Sequence, residues 1–588
     1  MKTNDLTLTL AGSGGDGVIT TGDFIARAVA AQGVYCMAQQ SYGPQIRGGE
    51  SSIRVRMSSE PVGSRGDSVD SLTVFSWKDY QRFLDEVALR PGAVVMYEAS
   101  DKEDYGSYLQ GIADLQVFAV PFKRIAQEDI GVPLTKNMVA LGVLSAVHGF
   151  DDTELKRAIT DKYGKKRPEA AEKNLQAFEA GAAYAKEHIA GDFYTLDYLP
   201  KERLLFLNGD EALAYGALQA GVRYYAGYPI TPATPILHWL QKELPRFGGT
   251  VIQAEDEISA VTQCLGASWS GVKAMTASAG PGISLMLEAL GLSGMAEIPI
   301  TIVNVQRVGP STGIPSRPEQ ADFLQAMGGM HGDLPHAVFA PTDVEDCFKV
   351  ALEAVACSER YQLPVIVLSD QYIGERFEAI DAHGFLAGVK TVERQKPGVL
   401  TPDAHYKRYE DTPSGVSPMA APGQEWGQYI TSGLEHDEYG APTSSAQIHQ
   451  TMSEKRARKL RGVAKDYDRA KVYGDNEADF GLICWGSVEG PVRQAVKRAQ
   501  AEGLRVAAYT PRLLYPLPER SLAEFVKGKT RIVVLEMSLS GQFYHYLKGY
   551  APSLPQDFLS LRRAGGNLFT VSEVLELIRE HTVAEVAA

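Results

Sequence analysis

Four short runs in the middle of this chain carry residue types from which an active site could be built: GYPITPATP at 227–235, QAEDE at 253–257, MTASAGPG at 275–282 and VQRVGPSTG at 305–313. The first packs three prolines into seven residues, and proline fixes φ while threonine can cap a helix. A strand RYYAG followed by a helix TPILHWLQKEL would set Thr231 and Thr234 at or near a helix N-terminus, in a rigid loop suited to a carboxylate at the carboxyl edge of a sheet. The alternative is a loop stiffened for stability alone. Glu255, Asp256 and Glu257 head the next helix, where acids complement the macrodipole, so two of the three need no further role. If Glu255 ends the strand and points into a cleft, it is a lone carboxylate able to polarise a ring nitrogen. The small-residue turn Thr276 to Gly282 permits close approach of a flat ligand. Arg307, just past a strand end in an acidic protein, is a candidate carboxylate clamp, its alternative being a surface ion pair.

Other runs invite chemistry less well. Gly12, Gly14 and Gly17 fit GxGxxG between a strand and a helix, a turn that can cradle phosphate. A dinucleotide site also needs an acid about 20 residues on, and Gln39 and Gln40 end the next strand instead. Asp16 completes a GDG, but the Asn that a magnesium-pyrophosphate motif requires is missing where Ser41, Tyr42 and Gly43 stand. Arg47, Arg54 and Arg56 around a glycine pair suit either an anion-binding turn or a solvated structural turn. Glu435, His436, Asp437 and Glu438 are adjacent and cannot converge on one ion from a single segment, so they read as linker contacts. The five cysteines, Cys36, Cys264, Cys347, Cys357 and Cys484, are scattered and read as small buried hydrophobes, leaving no structural zinc or iron-sulfur cluster to this chain.

The elements that must position these residues alternate between strand-like and helical runs, the pattern of an α/β layer fold. At 588 residues, with 44% hydrophobic and 22% charged residues, the chain has globular composition and length for several domains. We divide it into an α/β domain at 1–195, a second at 196–385, an irregular Pro- and Gly-rich linker at 386–475 that wraps a neighbour, and a third α/β domain at 476–588. Within the linker, MSEKRARKLRGVAKDY reads as a basic surface helix. A net charge of −14 offers no footprint for nucleic acid, no apolar run approaches the roughly 20 residues of a membrane span, and no signal peptide opens the chain. A cytoplasmic protein is expected.

Taken together and in order, GYPITPATP, QAEDE, MTASAGPG and QRVGPSTG closely resemble the pyrimidine-binding domain of the 2-oxoacid:ferredoxin oxidoreductases. GSGGDG and GPQIRGGESS resemble that family's gamma domain. WGS, LRVAAYTPRLLYPLP and VVLEMSLSGQF resemble its transketolase C-terminal-like domain. The order resembles the fused alpha subunit of the 2-oxoglutarate, KorA-like, type, with Ser316 and Arg317 standing where the family often has a threonine. The resemblance implies thiamine diphosphate shared between two polypeptides. This chain would hold the aminopyrimidine through Tyr228, Pro229, Ile230 and Glu255, and a beta subunit would hold pyrophosphate, Mg2+ and a [4Fe-4S] cluster. It further implies that Glu255 promotes the imino tautomer that deprotonates the cofactor, that Thr231 and Arg307 bind the carboxylate that is lost, that coenzyme A takes the acyl group, and that ferredoxin takes the electrons. Specificity for pyruvate or a branched-chain 2-oxoacid is the alternative within the family, and a silent regulatory subunit the alternative outside it. The expected assembly is one or two alpha-beta pairs.

Overall fold

The computed structural model describes residues 2–43, 49–164, 167–197, 201–386, 388–402, 405–555 and 557–582. The chain forms two compact units, one of residues 1–207 with 376–385, the other of 208–375 with 386–588. Among the described residues, the first unit holds an eight-stranded sheet in the order 116–120, 89–98, 69–74, 5–13, 50–58, 35–42, 377–380, 205–208. Asp5–Ser13 runs antiparallel to Glu50–Ser58 and parallel to Val69–Val74, so the sheet is mixed. The helices Val18–Ala31 and Lys136–His148 bury apolar faces against it. Phe377–Ile380 pairs with Tyr35–Tyr42, so the first unit takes back a segment that lies about 170 residues beyond residue 207, where its continuous part ends. The sequence divisions at 195 and 385 differ from this arrangement for that reason.

The second unit contains a seven-stranded sheet in the order 250–253, 224–227, 274–278, 300–306, 364–370, 337–339, 513–515. All its pairings are parallel except the last, where Leu513–Tyr515 adds antiparallel to Ala337–Phe339. Such a sheet buries both faces, and Ile300–Gln306 and Pro364–Asp370 are buried throughout. A second, five-stranded sheet runs 470–474, 507–511, 480–484, 531–536, 559–562, so its first strand begins ahead of the expected boundary at 476. One hydrophobic core joins Ile302 and Ile366 of the larger sheet to Ile483 and Val534 of the smaller, and to Trp485 just past its strand 480–484.

The segment after residue 386 bonds to the α/β layers before it, with Arg394 making two bonds to Glu359 at 2.7 and 2.8 Å and Trp269 Nε1 donating to Thr431 Oγ1. Helix Ala446–Tyr467 corrects the reading of a surface helix, because Lys455 and Lys459 are fully buried and each lies 2.5 Å from the carboxylate of Glu297. Those two ammonium groups and the Arg408 guanidinium hold the Glu297 carboxyl far below the usual range against the opposing pull of burial. Burial in turn pushes Lys459 down to about 7. No described helix is long and apolar enough to cross a membrane.

Candidate functional site

Parallel strands deliver their following loops to one edge of a sheet, and ligands of open α/β sheets bind there. Here that edge collects the ends of Tyr224–Gly227, Thr250–Gln253, Ala274–Ser278, Ile300–Gln306 and Pro364–Asp370. The loop from Tyr228 to Ala233 leaves the first of these, with Tyr228 and Thr231 exposed and Pro229 and Ile230 half-buried. Helix Thr234–Glu243 begins with proline in its first turn, and its N-cap is Ala233. Neither threonine caps it, contrary to the expectation from sequence, because the rigid turn places both inside or beyond the capping position. What holds the loop is Arg307, whose guanidinium donates to the carbonyl of Thr231. Two residues singled out 76 positions apart are thus in contact.

The three acids of QAEDE have three different settings. Asp256 is the N-cap of helix Glu257–Trp269 and accepts from the amide of Ser259 at 2.7 Å. Glu255 is exposed. Glu257 is buried, and its carboxylate accepts from Ser278 Oγ at 3.1 Å. A side chain at Gly282 would meet Ser278 Oγ at 2.0 Å and Glu257 Oε1 at 2.4 Å, so the glycine is what admits this pair. A carboxylate that must act on a ring nitrogen needs shelter from water, and Glu257 has it where Glu255 does not. The burial of Glu257 was readable in the helix period: Glu257, Ala260, Val261 and Cys264 fall on one face, and all are buried.

Beside this pair, Asn304 Nδ2 donates to Asp322 Oδ2 at 3.0 Å and the Asp322 amide donates to Gln306 Oε1 at 3.2 Å. Burial pushes the Asp322 carboxyl above its usual range, with the Asn304 amide and Arg307 pulling it back. Burial lowers the Arg307 guanidinium, and Asp322 offsets part of that. Arg307 Nε, Asn304 Oδ1 and Thr276 Oγ1 are buried with no hydrogen-bond partner. Buried polar atoms are ordinarily paired, so a group of orphans beside a sheltered carboxylate is a site with capacity for a polar ligand. Tyr228, Ile258, Leu285, Ile314 and Leu324 are exposed large apolar side chains on the segments that follow these strands, and Leu539 is exposed in the C-terminal domain.

The other described candidates bond to groups of the chain itself. In the glycine turn of the first unit, Asp16 Oδ2 accepts from the Ser13 amide at 2.9 Å and Oδ1 lies 2.6 Å from Lys136 Nζ, so the turn's own carboxylate takes the place of a phosphate. Arg54 donates to the Gly66 and Glu86 carbonyls, and Arg56 pairs with Asp5. Arg47 lies outside the described residues. Glu435 binds Arg456 at 2.8 and 3.0 Å and also His449, while His436 Nδ1 bonds to the Leu434 carbonyl. No cluster of three or more metal-type side chains occurs among the described residues, and all five cysteines are buried and outside any disulfide.

Comparison with known proteins accounts for most of the chain. The family model for pyruvate flavodoxin/ferredoxin oxidoreductase, thiamine diphosphate-binding, matches residues 215–455. The pyruvate ferredoxin/flavodoxin oxidoreductase model matches 7–184, and the pyruvate:ferredoxin oxidoreductase core domain II model matches 478–574. The chain is 33% identical to 2-oxoglutarate oxidoreductase subunit KorA of Mycobacterium tuberculosis, across 98% of this chain and 92% of that protein. It is 35% identical to 2-oxoglutarate synthase subunit KorA of Methanocaldococcus jannaschii, across 63% of this chain and 97% of that one. Among solved structures, that of 2-oxoglutarate:ferredoxin oxidoreductase from Magnetococcus marinus with 2-oxoglutarate, coenzyme A and succinyl-CoA bound superposes with a TM-score of 0.92 at 36% identity, covering 98% of this chain and 99% of that one.

Proposed function

Because this chain belongs to the 2-oxoacid:ferredoxin oxidoreductase family, we propose that it is the alpha subunit of a 2-oxoglutarate:ferredoxin oxidoreductase. In the reaction, 2-oxoglutarate and coenzyme A become succinyl-CoA and carbon dioxide, and two electrons pass singly to ferredoxin; the sequence of steps is reversible. The choice of 2-oxoglutarate follows the Mycobacterium and Methanocaldococcus relatives and the ligands of the Magnetococcus structure. The observation that carries the reading is the Arg307 guanidinium bonded to the Thr231 carbonyl beside the sheltered carboxylate of Glu257.

The site fits thiamine diphosphate, since the small-residue turn at Gly280–Gly282 admits a flat ring and Thr276 Oγ1 and Asn304 Oδ1 await polar partners. When bound, that cofactor supplies a carbon nucleophile and an electron sink for decarboxylation. Glu257, in place of Glu255, would hydrogen-bond the pyrimidine ring nitrogen and hold a proton there, with Ser278 orienting its carboxylate. Tyr228, Pro229 and Ile230 would flank the ring. Arg307 and Thr231 hold the substrate carboxylate, and a loop with three prolines keeps that grip preorganised before substrate arrives. Mg2+ and a [4Fe-4S] cluster belong to a beta subunit, in keeping with five dispersed, buried cysteines here. Its docking face is the apolar rim around the cleft. The complex works in the cytoplasm as one or two alpha-beta pairs.

The test is viologen reduction by this chain alone and co-expressed with its beta-type partner, with coenzyme A and a panel of 2-oxoacids. Activity confined to the pair and highest with 2-oxoglutarate is expected. A maximum with pyruvate or a branched-chain 2-oxoacid would change the substrate, and no turnover by an assembled, cluster-loaded pair would make the chain a regulatory subunit.

A further inference from the structure

The loop that follows Arg307 is short and folded tightly on itself. The Val308 amide donates to the Arg317 carbonyl and the Ile314 amide to the Val308 carbonyl, both at 3.0 Å. Its closing residues, Pro318 to Asp322, touch both sides of Arg307: the Asp322 amide bonds to the Gln306 side chain, and Glu319 Oε2 accepts from the Gly309 amide at 2.9 Å. The same five residues are read by three loops of the C-terminal sheet's domain. The other carboxylate oxygen of Glu319 accepts from the Gly565 amide at 2.8 Å, and the Gly566 amide donates to the Pro318 carbonyl at 2.8 Å. Gln320 is fully buried, exchanging bonds with the backbone of Met537 at 2.8 and 2.9 Å and donating to the Trp485 carbonyl at 2.8 Å.

We infer that Glu319 is a positioning residue for the substrate grip: one carboxylate clamps the backbone two residues past Arg307 to the C-terminal domain, which thereby sets where the guanidinium stands. This rests on the proposed role of Arg307. Arg307 itself reaches no carboxylate within ion-pair distance among the described residues and bonds to one carbonyl, so its place is set by its backbone. That backbone is anchored at Gln306 and Gly309, and Glu319 is the side chain that carries the second anchor across to Gly565. A Cβ on Gly565 would lie 2.5 Å from the Glu319 Cβ, so this contact has no slack.

The test uses the complex of this chain with its beta subunit. Glu319→Gln keeps the shape but turns an NH2 toward one of the two backbone amides. The KM for 2-oxoglutarate should rise about tenfold, the loss of one hydrogen bond to a charged group, with kcat within about twofold and the KM for coenzyme A unmoved. Gly565→Ala, which displaces the carboxylate from the other side, should shift the same KM in the same direction. Arg307→Lys is the reference. If it raises the KM for the 2-oxoacid while Glu319→Gln and Gly565→Ala only lower the melting temperature, Glu319 is structural and the inference fails. If Arg307→Lys itself leaves that KM unchanged, the assignment of the grip fails first.

Discussion

Two turns in this molecule are built from the same local pattern, and only one is left open. In the first unit, the strand Asp5–Ser13 runs through a glycine turn into the helix Val18–Ala31; in the second, Tyr224–Gly227 runs through a proline turn into Thr234–Glu243. The glycine turn folds its own Asp16 back onto the Ser13 amide and seals it with Lys136. The proline turn cannot fold back in that way, because its φ angles are fixed, and it leaves Thr231 exposed with only its carbonyl held. Flexibility closed one turn onto itself, and stiffness left Thr231 of the other exposed. A glycine-rich motif therefore says that backbone can approach a phosphate, and the charge of the residues inside the turn says whether it does.

The comparison is broken most severely at Glu257. Glu257→Gln should lower turnover by at least about a hundredfold while the complex still assembles, because removing a group that moves a proton in the reaction costs on the order of 10²–10⁴ in rate. Glu255→Gln should leave turnover within about twofold. Steady-state kinetics of both variants with saturating coenzyme A decide the point, and the reverse ranking would return the role to Glu255.

That pair also marks how far the sequence could be read. Alternating strand and helix runs, punctuated by glycine and proline, made the α/β layers legible, and the four loops at the strand ends announced a site because their residue types are conspicuous. Helix phase was also written there, in the spacing of Glu257, Ala260, Val261 and Cys264, but three adjacent acids hid it. The burial of Lys455 and Lys459 was not legible at all. A run of five cations in seven residues looks solvated until Glu297, some 158 positions away, is brought beneath it. The return of Phe377–Ile380 to the first unit and the bonding of Gln320 to Trp485 and Met537 are likewise long-range pairings with no local signal.

Acids near the open edge behave unlike an ion-paired surface carboxylate, and pH should sharpen the contrast. Glu375 ends the short helix that follows Pro364–Asp370, and burial pushes its carboxyl from the ordinary 4.5 up to about 7, with the Gln371 amide pulling down. Burial also raises the neighbouring Asp210 well above its usual range, with Glu375 and Glu211 adding to the effect, and neither Asp210 oxygen has a hydrogen-bond partner. The fold binds the Glu375 proton more tightly than the unfolded chain does. Its stabilisation is full below about pH 4.5 and is lost as pH rises toward 7, by up to about 3 kcal/mol. Glu375→Gln removes that dependence. Urea denaturation from pH 5 to 8 should show the variant gaining on the wild type as pH rises, and parallel curves would mean the carboxyl is ionised in the fold throughout.

The smallest effect is expected at the closed turn, and it must be of a different kind. Asp16 bonds to one amide and one ammonium, both partly sheltered, so Asp16→Asn should cost about 2 kcal/mol of stability through the weakened charged contacts. It should leave the KM for 2-oxoglutarate and kcat within about twofold once the complex is assembled, because the carboxylate occupies its own turn and serves no ligand. Paired thermal melts and steady-state kinetics separate the two quantities. A melting temperature that holds while kinetics collapse would show that Asp16 faces a ligand after all, and the two turns would then differ only in which group each one receives.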